Sequence, residues 1–218
     1  EKVSSFGELN YFKRENLQLD MSELCYRCSI DKECPYCAHK IYLNDEELSK
    51  GVHINPTKIN INKILKNSQY GQCVYSCDNN VCDNLISILK FKNNMTASLN
   101  ISAFTKEEST NIRLMFTHGE VYGDFQNHLI SIKKFIDNKE KIIRLQEENI
   151  NEKLIEDFLI RVKNKDNTNI KSKVSSTISS HALAFAAEFA RVNESVVDVD
   201  KFYDEAIEMT KSIEELFL

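Results

Sequence analysis

The sequence predicts an α+β chain: a large, mostly antiparallel, open β-sheet with helices packed on one face. Three observations predict it. From Met95 the odd positions Met95, Ala97, Leu99, Ile101 and Ala103 alternate with Thr96, Ser98, Asn100 and Ser102. That is the period-two pattern of a strand whose faces meet different surroundings. Short polar breaks at His118-Gly119, Asn127-His128 and Asp137-Asn138 then separate further strand-like runs. Repeated short connections suit an antiparallel meander rather than parallel βαβ units. After Asn151 the apolar residues recur at three- and four-residue steps, which is the helical period.

Taken in order, Val3 to Phe12 reads as a first strand. Residues 13–70 are polar and cysteine-containing, with short helices expected over Pro35 to Leu43 and Thr57 to Lys66. Residues 71–146 read as sheet. Strands are expected at Cys73 to Asp78, Leu85 to Lys92, Met95 to Phe104, Asn111 to Thr117, Glu120 to Phe125, Leu129 to Phe135 and Lys141 to Leu145. Asn93-Asn94 suits a two-residue hairpin turn, since Asn tolerates positive φ. Pairing Lys92 with Met95 would place Ile86 and Ile88 on one face with Leu99 and Ile101, the expected core. The other face would carry Thr96, Ser98, Asn100 and Ser102 with Leu85, Leu89 and Phe91. It is small and neutral where a solvated face carries charge, so a second subunit, a neighbouring domain or the chain's own helices should cover it.

Residues 151–218 read as helices. Asn151 is the expected cap of a stripe of Leu154, Ile155, Phe158, Leu159 and Val162. Asn164 to Lys173 is a polar connection. An alanine-rich helix follows, with Ile178, Ala182, Phe185, Phe189 and Val192 in step. The last helix carries Val199, Phe202, Ala206, Met209, Ile213 and Leu216, capped by Asp198 or Asp200.

Composition excludes several classes. The 218 residues carry 28 Lys and Arg against 33 Asp and Glu, and 42% are hydrophobic. A net charge of −5 without a basic cluster argues against nucleic acid. No apolar run approaches the roughly 20 residues that span a bilayer. Seven cysteines with no secretory segment point to a reducing, cytoplasmic setting. The five glycines, Gly7, Gly51, Gly71, Gly119 and Gly123, lie too far apart for a dinucleotide fingerprint or a P-loop. A start at Glu1, directly ahead of a strand, suggests a fragment or a processed chain.

Cys25, Cys28, Cys34 and Cys37 form C-x2-C-x5-C-x2-C. Paired knuckles suit tetrahedral zinc, although the five-residue gap is short and free surface thiols fit as well. The second knuckle, Cys-Pro-Tyr-Cys, is similar to a glutaredoxin active site. That fold needs a proline before a later strand, and Pro56 precedes a helix-like run instead. Cys73, Cys77 and Cys82 read as buried free thiols. His181, among serines at the expected start of the alanine-rich helix, could meet a hydroxylated or anionic ligand, or simply pack. Asp78 and Asp83 bracket a polar turn, and Arg113 projects from a strand. All three suit structural as well as substrate-side roles.

The runs YGQCVYSCDNNVCDNLISILKFKNNMTASLNISAFT and IRLMFTHGEVYGDF resemble the C-terminal domain of the Gfo/Idh/MocA oxidoreductases, the glucose–fructose oxidoreductase, inositol dehydrogenase and rhizopine-catabolism family. SSFGELNYFKREN, CPYCAHKIYL, SHALAFAAEFAR and VVDVDKF extend the resemblance over nearly the whole chain. It implies that residues 1–218 form a single α+β C-terminal domain, like those of dihydrodipicolinate reductase and glyceraldehyde-3-phosphate dehydrogenase. It implies a missing N-terminal Rossmann domain that binds NAD or NADP, a homodimer formed through the sheet, and a sugar, cyclitol or related small-molecule substrate. The family's glycine fingerprint and its Lys or His-Asp catalytic segments precede the region matched by Glu1. No cofactor-binding or catalytic residue is therefore expected here, and the chain alone is not expected to turn over. Asp78-Asn79-Asn80 stands where relatives often carry Asp-Asn-Asp, Asn93-Asn94 where they carry Asn-Gly, and Cys37 where Ser is frequent. The rival reading is a zinc-stabilised or thiol-based interaction module built on Cys25, Cys28, Cys34 and Cys37.

Overall fold

The computed structural model describes residues 1–106, 109–137, 139–165, 168, 170 and 173–216, with side-chain surroundings up to residue 210. In chain order the elements are β1 (Lys2–Glu8), α1 (Ala38–Asn44), α2 (Glu46–Val52), α3 (Lys58–Asn67), β2 (Asn84–Lys90), β3 (Thr96–Ser102), β4 (Asn111–Phe116), β5 (Gly119–Asp124), β6 (Leu129–Lys134), β7 (Glu140–Arg144), α4 (Ile150–Asn164), α5 (Val174–Val192), β8 (Val197–Asp198) and α6 (Val199–Leu216). The architecture is α+β and the strand pairs are antiparallel. The described strands form two four-stranded sheets, ordered β3-β2-β1-β8 and β4-β5-β6-β7. Residues 1–104 and 179–218 make one compact unit, and residues 105–178 make another. Among the described helices none is long and apolar enough to cross a membrane.

In the first unit β1 pairs with β2 along its whole length, Val3 opposite Leu89 and Ser5 opposite Ser87. The two serine hydroxyls meet at 2.7 Å in the buried face, which satisfies both away from water. The core of this unit is Val3, Ala186, Ala190, Val197 and Val199, with Leu89, Leu183, Ala187 and Phe202 packed against it. The stripe of α5 that packs is therefore its alanine face. Phe185, Phe189 and Val192 of the expected stripe are exposed. Alanine has no side chain beyond Cβ, so the helix backbone can approach the sheet where a phenylalanine would hold it off. Asp198 caps α6, its carboxylate accepting from the Lys201 N–H at 3.3 Å.

The β2–β3 hairpin differs from expectation by one residue. Lys90 pairs with Thr96, so Ile86 lies opposite Asn100 and Ile88 opposite Ser98. The turn runs from Phe91 to Met95, and Asn94 takes φ 65°. An extra residue in the left-handed conformation is the usual bulge of a longer hairpin loop. Because strand side chains alternate, the slip exchanges faces. Leu85, Ser87 and Leu89 join Leu99 and Ile101, while Ile86 and Ile88 lie with Thr96, Ser98 and Asn100. The expected strand at Cys73 to Asp78 is also absent. Cys73 C=O accepts from the Ser76 and Cys77 N–H groups, closing a turn that carries Tyr75 inward.

A second core of the first unit joins Cys25, Cys37, Ala38, Ile61 and Leu65, between α1 and α3. Here Gly71 is required. A Cβ at that position would lie 1.6 Å from the Leu65 carbonyl oxygen.

The second unit is the expected meander. Thr117-His118 joins β4 to β5, and residues 125–128 join β5 to β6, where Asn127 bonds back to Asp124 and His128 takes φ 48°. Of the expected break at Asp137-Asn138, Asn138 lies outside the described residues. Asn149, rather than Asn151, caps α4, accepting from the Asn151 and Glu152 N–H groups at 3.1 and 3.3 Å. The stripe Leu154, Ile155, Phe158, Leu159 and Val162 is exposed along α4.

Substituting Gly71→Ala should lower the unfolding free energy by about 1–3 kcal/mol, because backbone rather than a flexible side chain must move. The urea midpoint measures it. An unchanged midpoint would show that the Leu65–Gly71 approach is looser than described.

Candidate functional site

Asp83 immediately precedes β2 and is 3% exposed. One carboxylate oxygen accepts from the backbone N–H groups of Asn10, Tyr11 and Phe12, at 2.9, 2.6 and 3.4 Å. The other accepts from the Asn84 amide at 2.8 Å. The Asp83 N–H donates to Glu8 C=O, and its C=O accepts from Ala103 N–H. One residue thus holds the exit of β1, the entry of β2 and the segment after β3. Burial pushes the carboxyl up, but the Tyr11 N–H, the Asn84 amide and the other donors together hold it below the usual carboxylate range.

The chain that Asp83 fixes carries Tyr11 and Phe12 into an aromatic cluster. Tyr11 packs edge-on to Tyr75 at 5.5 Å and to Phe104 at 5.6 Å. Phe12 stacks on Phe104 and meets Tyr36 edge-on at 5.0 Å. These are favoured aromatic geometries, and they join positions far apart in sequence. Burial, then a hydrogen bond with Tyr11, raises the Tyr75 phenol above its ordinary value. Tyr11 and Tyr75 line a cleft of 290 Å³ beside this cluster. Asn16 closes the loop behind Tyr11, donating its amide N–H groups to the carbonyls of Asn10 and Tyr11 at 3.0 and 2.9 Å.

The four cysteines expected as a zinc set occupy different surroundings. Cys25 and Cys37 are buried core residues, and Cys34 packs against them while lining the cleft. Among the described residues, no group of three or more His, Cys, Asp or Glu side chains is arranged to hold a metal ion. Burial pushes the Cys25 thiol up to about 11; the Ala38 N–H offsets part of this, and nearby Cys37, Cys73 and Cys34 add to it. Cys73 is likewise raised, mainly by burial. The zinc alternative for Cys25, Cys28, Cys34 and Cys37 is not supported by the arrangement of the described residues.

The three substrate-side candidates sit on separate segments. His181 lies well inside α5, which begins at Val174, so the helix-terminus argument for it fails. Asp78 is exposed on the link before β2. Arg113 belongs to the second unit, where its guanidinium pairs with Glu120 across β4 and β5. Sequence reasoning missed Tyr11, Tyr36, Tyr75 and Phe104 as a group. Isolated aromatic residues on four separate segments leave no local pattern to find.

No protein-family model matches the chain, and no curated protein matches it. Three solved structures illustrate its structural likenesses. UDP-N-acetylglucosamine 3-dehydrogenase GnnA from Acidithiobacillus ferrooxidans is 19% identical, with a TM-score of 0.37, over 41% of this chain and 29% of that one. Levoglucosan dehydrogenase in complex with NADH and levoglucosan is 13% identical, with a TM-score of 0.48, over 60% and 40%. Its complex with NADH and L-sorbose gives 14%, 0.47, 55% and 38%. The chain spans less than half the length of each.

Two outcomes are expected from this geometry. Asp83→Asn places an amide where three backbone donors converge, and should cost about 1–3 kcal/mol of stability. The sign with pH follows from linkage. A carboxyl held low when folded binds protons less readily than in the unfolded chain, so its contribution is full above the ordinary value of about 4 and is lost as pH falls through the folded value. Acid unfolding of Asp83→Asn should accordingly be less steep below about pH 4 than that of the parent chain; equal slopes would place the carboxyl outside the linkage. Alkylation followed by mass mapping gives the second. At pH 8 native Cys25 should react more slowly than half-buried Cys28 and Cys34, and equal rates would mean that the core around Ile61 and Leu65 opens.

Proposed function

We propose that the chain is the substrate-binding and oligomerisation domain of an NAD(P)-dependent oxidoreductase acting on a sugar, cyclitol or related carbonyl or hydroxyl compound. One observation supports it most. Four of the runs that carry the resemblance meet within the first unit. Asp83, from CDN, holds Asn10, Tyr11 and Phe12 of SSFGELNYFKREN. Tyr36 of CPYC, Tyr75 of CVYS and Phe104 of SAFT pack on those two aromatics. Arg191 of AEFAR donates to the Gly7 carbonyl at 3.0 Å.

On this reading the chain supplies shape and polar contacts for the substrate, and an N-terminal Rossmann domain supplies NAD or NADP and the acid–base group. The cofactor would accept or donate hydride. The residues here would orient the ring that reacts. Homodimerisation through sheet surface follows from the same reading. The face of Phe6, Ile86 and Ile88, set among Ser98 and Asn100, is exposed, with Lys2 and Lys90 at one end and Glu8 at the other, and an apolar centre with a charged rim favours a partner.

Titration of this chain with NADH, followed by fluorescence, should show no saturable binding, while the longer protein containing the Rossmann domain should bind. Saturable micromolar binding to the chain alone would overturn the reading. Light scattering should give twice the chain mass at high concentration, and a monomer throughout would remove the oligomerisation role.

A further inference from the structure

Within the second unit α4 is exposed along its whole length, and of its 15 residues only Arg161 is half-buried. Isolated helices of about 12–15 residues are marginal in water, and most helical stability in proteins comes from packing an amphipathic face. The ends of α4 are well made. Asn149 caps one end, and Lys165 turns left-handed at the other with φ 49°, its N–H donating to the Arg161 and Val162 carbonyls. The stripe between them is uncovered: Leu154, Ile155, Phe158, Leu159 and Val162 are 56–64% exposed.

The charges beside the stripe select what covers it. Each residue advances about 100° around a helix. That step sets Glu152, Glu156 and Lys163 along one border of the stripe, and Asp157 and Arg161 along the other. Arg161 pairs with Asp157 at 2.7 Å, and Lys153, farther round the helix, with Glu148. Among the described residues no ion pair engages Glu152, Glu156 or Lys163. Two copies of the helix packed antiparallel about a twofold axis bring like borders together. Glu152 and Glu156 then meet Lys163 of the second copy, and the same contact repeats across the axis. Packed parallel, unlike borders meet, so the two glutamates would face Asp157 and Lys163 would face Arg161. Opposite charges meet in the first arrangement and like charges in the second.

We infer that α4 is a self-association surface, through which two copies of the chain pair with their α4 helices antiparallel and Phe158 of each near the twofold axis. This surface is separate from the sheet face of Phe6, Ile86 and Ile88, which belongs to the first unit. At about 1.5 Å per residue the helix is about 22 Å long, which makes its seam smaller than the roughly 800 Å² per partner of a standard interface. Association through it is therefore weak and reversible, and joins dimers only above the concentrations at which the sheet face pairs.

The test is sedimentation equilibrium of the full chain carrying Ile86→Glu, which charges the sheet face and leaves α4 as the remaining interface. Ile86 is exposed, so this variant should fold, and thermal melting checks it. It should dimerise reversibly, and adding Phe158→Glu should make it monomeric. Glu152→Lys combined with Glu156→Lys, and separately Lys163→Glu, should each weaken its association about tenfold. An equal mixture of those two variants should recover the affinity, because one then carries a wholly basic border and the other a wholly acidic one. A monomer with Ile86→Glu at every concentration reached would overturn the inference. So would a dimer that survives Phe158→Glu, or a mixture no tighter than its components. Slow hydrogen exchange along α4 in a monomer would show the chain's own residues covering the stripe, and would overturn it as well. Each of these results leaves the substrate-domain reading standing, whereas NADH binding by the chain would overturn that reading and leave this one.

Discussion

The carboxylate of Asp83 takes hydrogen bonds from three successive backbone N–H groups and one side-chain amide. Its own main chain continues the ladder to Glu8 and Ala103. A loop leaving a strand must find partners for its amides or leave them facing water. Here one residue satisfies Asn10, Tyr11 and Phe12 together, and β1 ends at Glu8 because those amides turn toward a side chain instead of a neighbouring strand. The consequence reaches the cleft. The same turn that ends β1 presents Tyr11 to Tyr75, and Asn16 then closes the loop from its carbonyl side. Strand boundary, aromatic cluster and cleft wall depend on one charged, fully bonded group.

Packing on the other side of the first unit obeys a different constraint. Ala186 and Ala190 are fully buried against Val3, while Phe185 and Phe189 remain largely exposed. Burying the aromatic residues would remove more apolar area from water. It would also hold α5 away from the sheet, and the Arg191 bond to Gly7 C=O needs the helix close. The sheet side matches this demand: Ser5 and Ser87 are small, and their hydroxyls satisfy each other. Small residues on both surfaces set the spacing, and the larger apolar side chains are left on the outside of the unit.

Much of the architecture was legible because it is periodic. Strict alternation marked β3, short polar breaks marked β4 to β7, and the helical step marked α4, α5 and α6. What failed did so at points where one residue outweighs a pattern. Asn94 adopts positive φ and adds a residue to the hairpin loop, which no count of apolar positions reveals, and the faces of β2 exchange as a result. Cys73 to Asp78 has a strand-like composition, yet its backbone folds into a turn that buries Tyr75. The site was less legible than the fold. Cysteine spacing is conspicuous in a sequence, but the side chains of Cys25 and Cys37 serve as core. The cleft is built from single residues contributed by segments up to several tens of positions apart, and each looks ordinary alone.

The exposed apolar residues bring these threads together. Phe6, Ile86 and Ile88 on the first sheet and the Leu154 to Val162 stripe of α4 lie open to solvent within their own units. Each belongs to a regular element with regular hydrogen bonding, so the exposure is a property of well-formed surfaces rather than of loose packing. Burying such side chains is worth roughly 1.5–3 kcal/mol each when complete. A chain that leaves so many uncovered while holding its cleft loop with a buried, four-donor carboxylate divides its stabilisation unevenly. Hydrogen bonds and ring contacts are concentrated around Asp83 and Tyr75, and broad apolar area is left exposed. That division sets a loop whose polar groups are satisfied by one buried carboxylate beside surfaces whose apolar area stays uncovered.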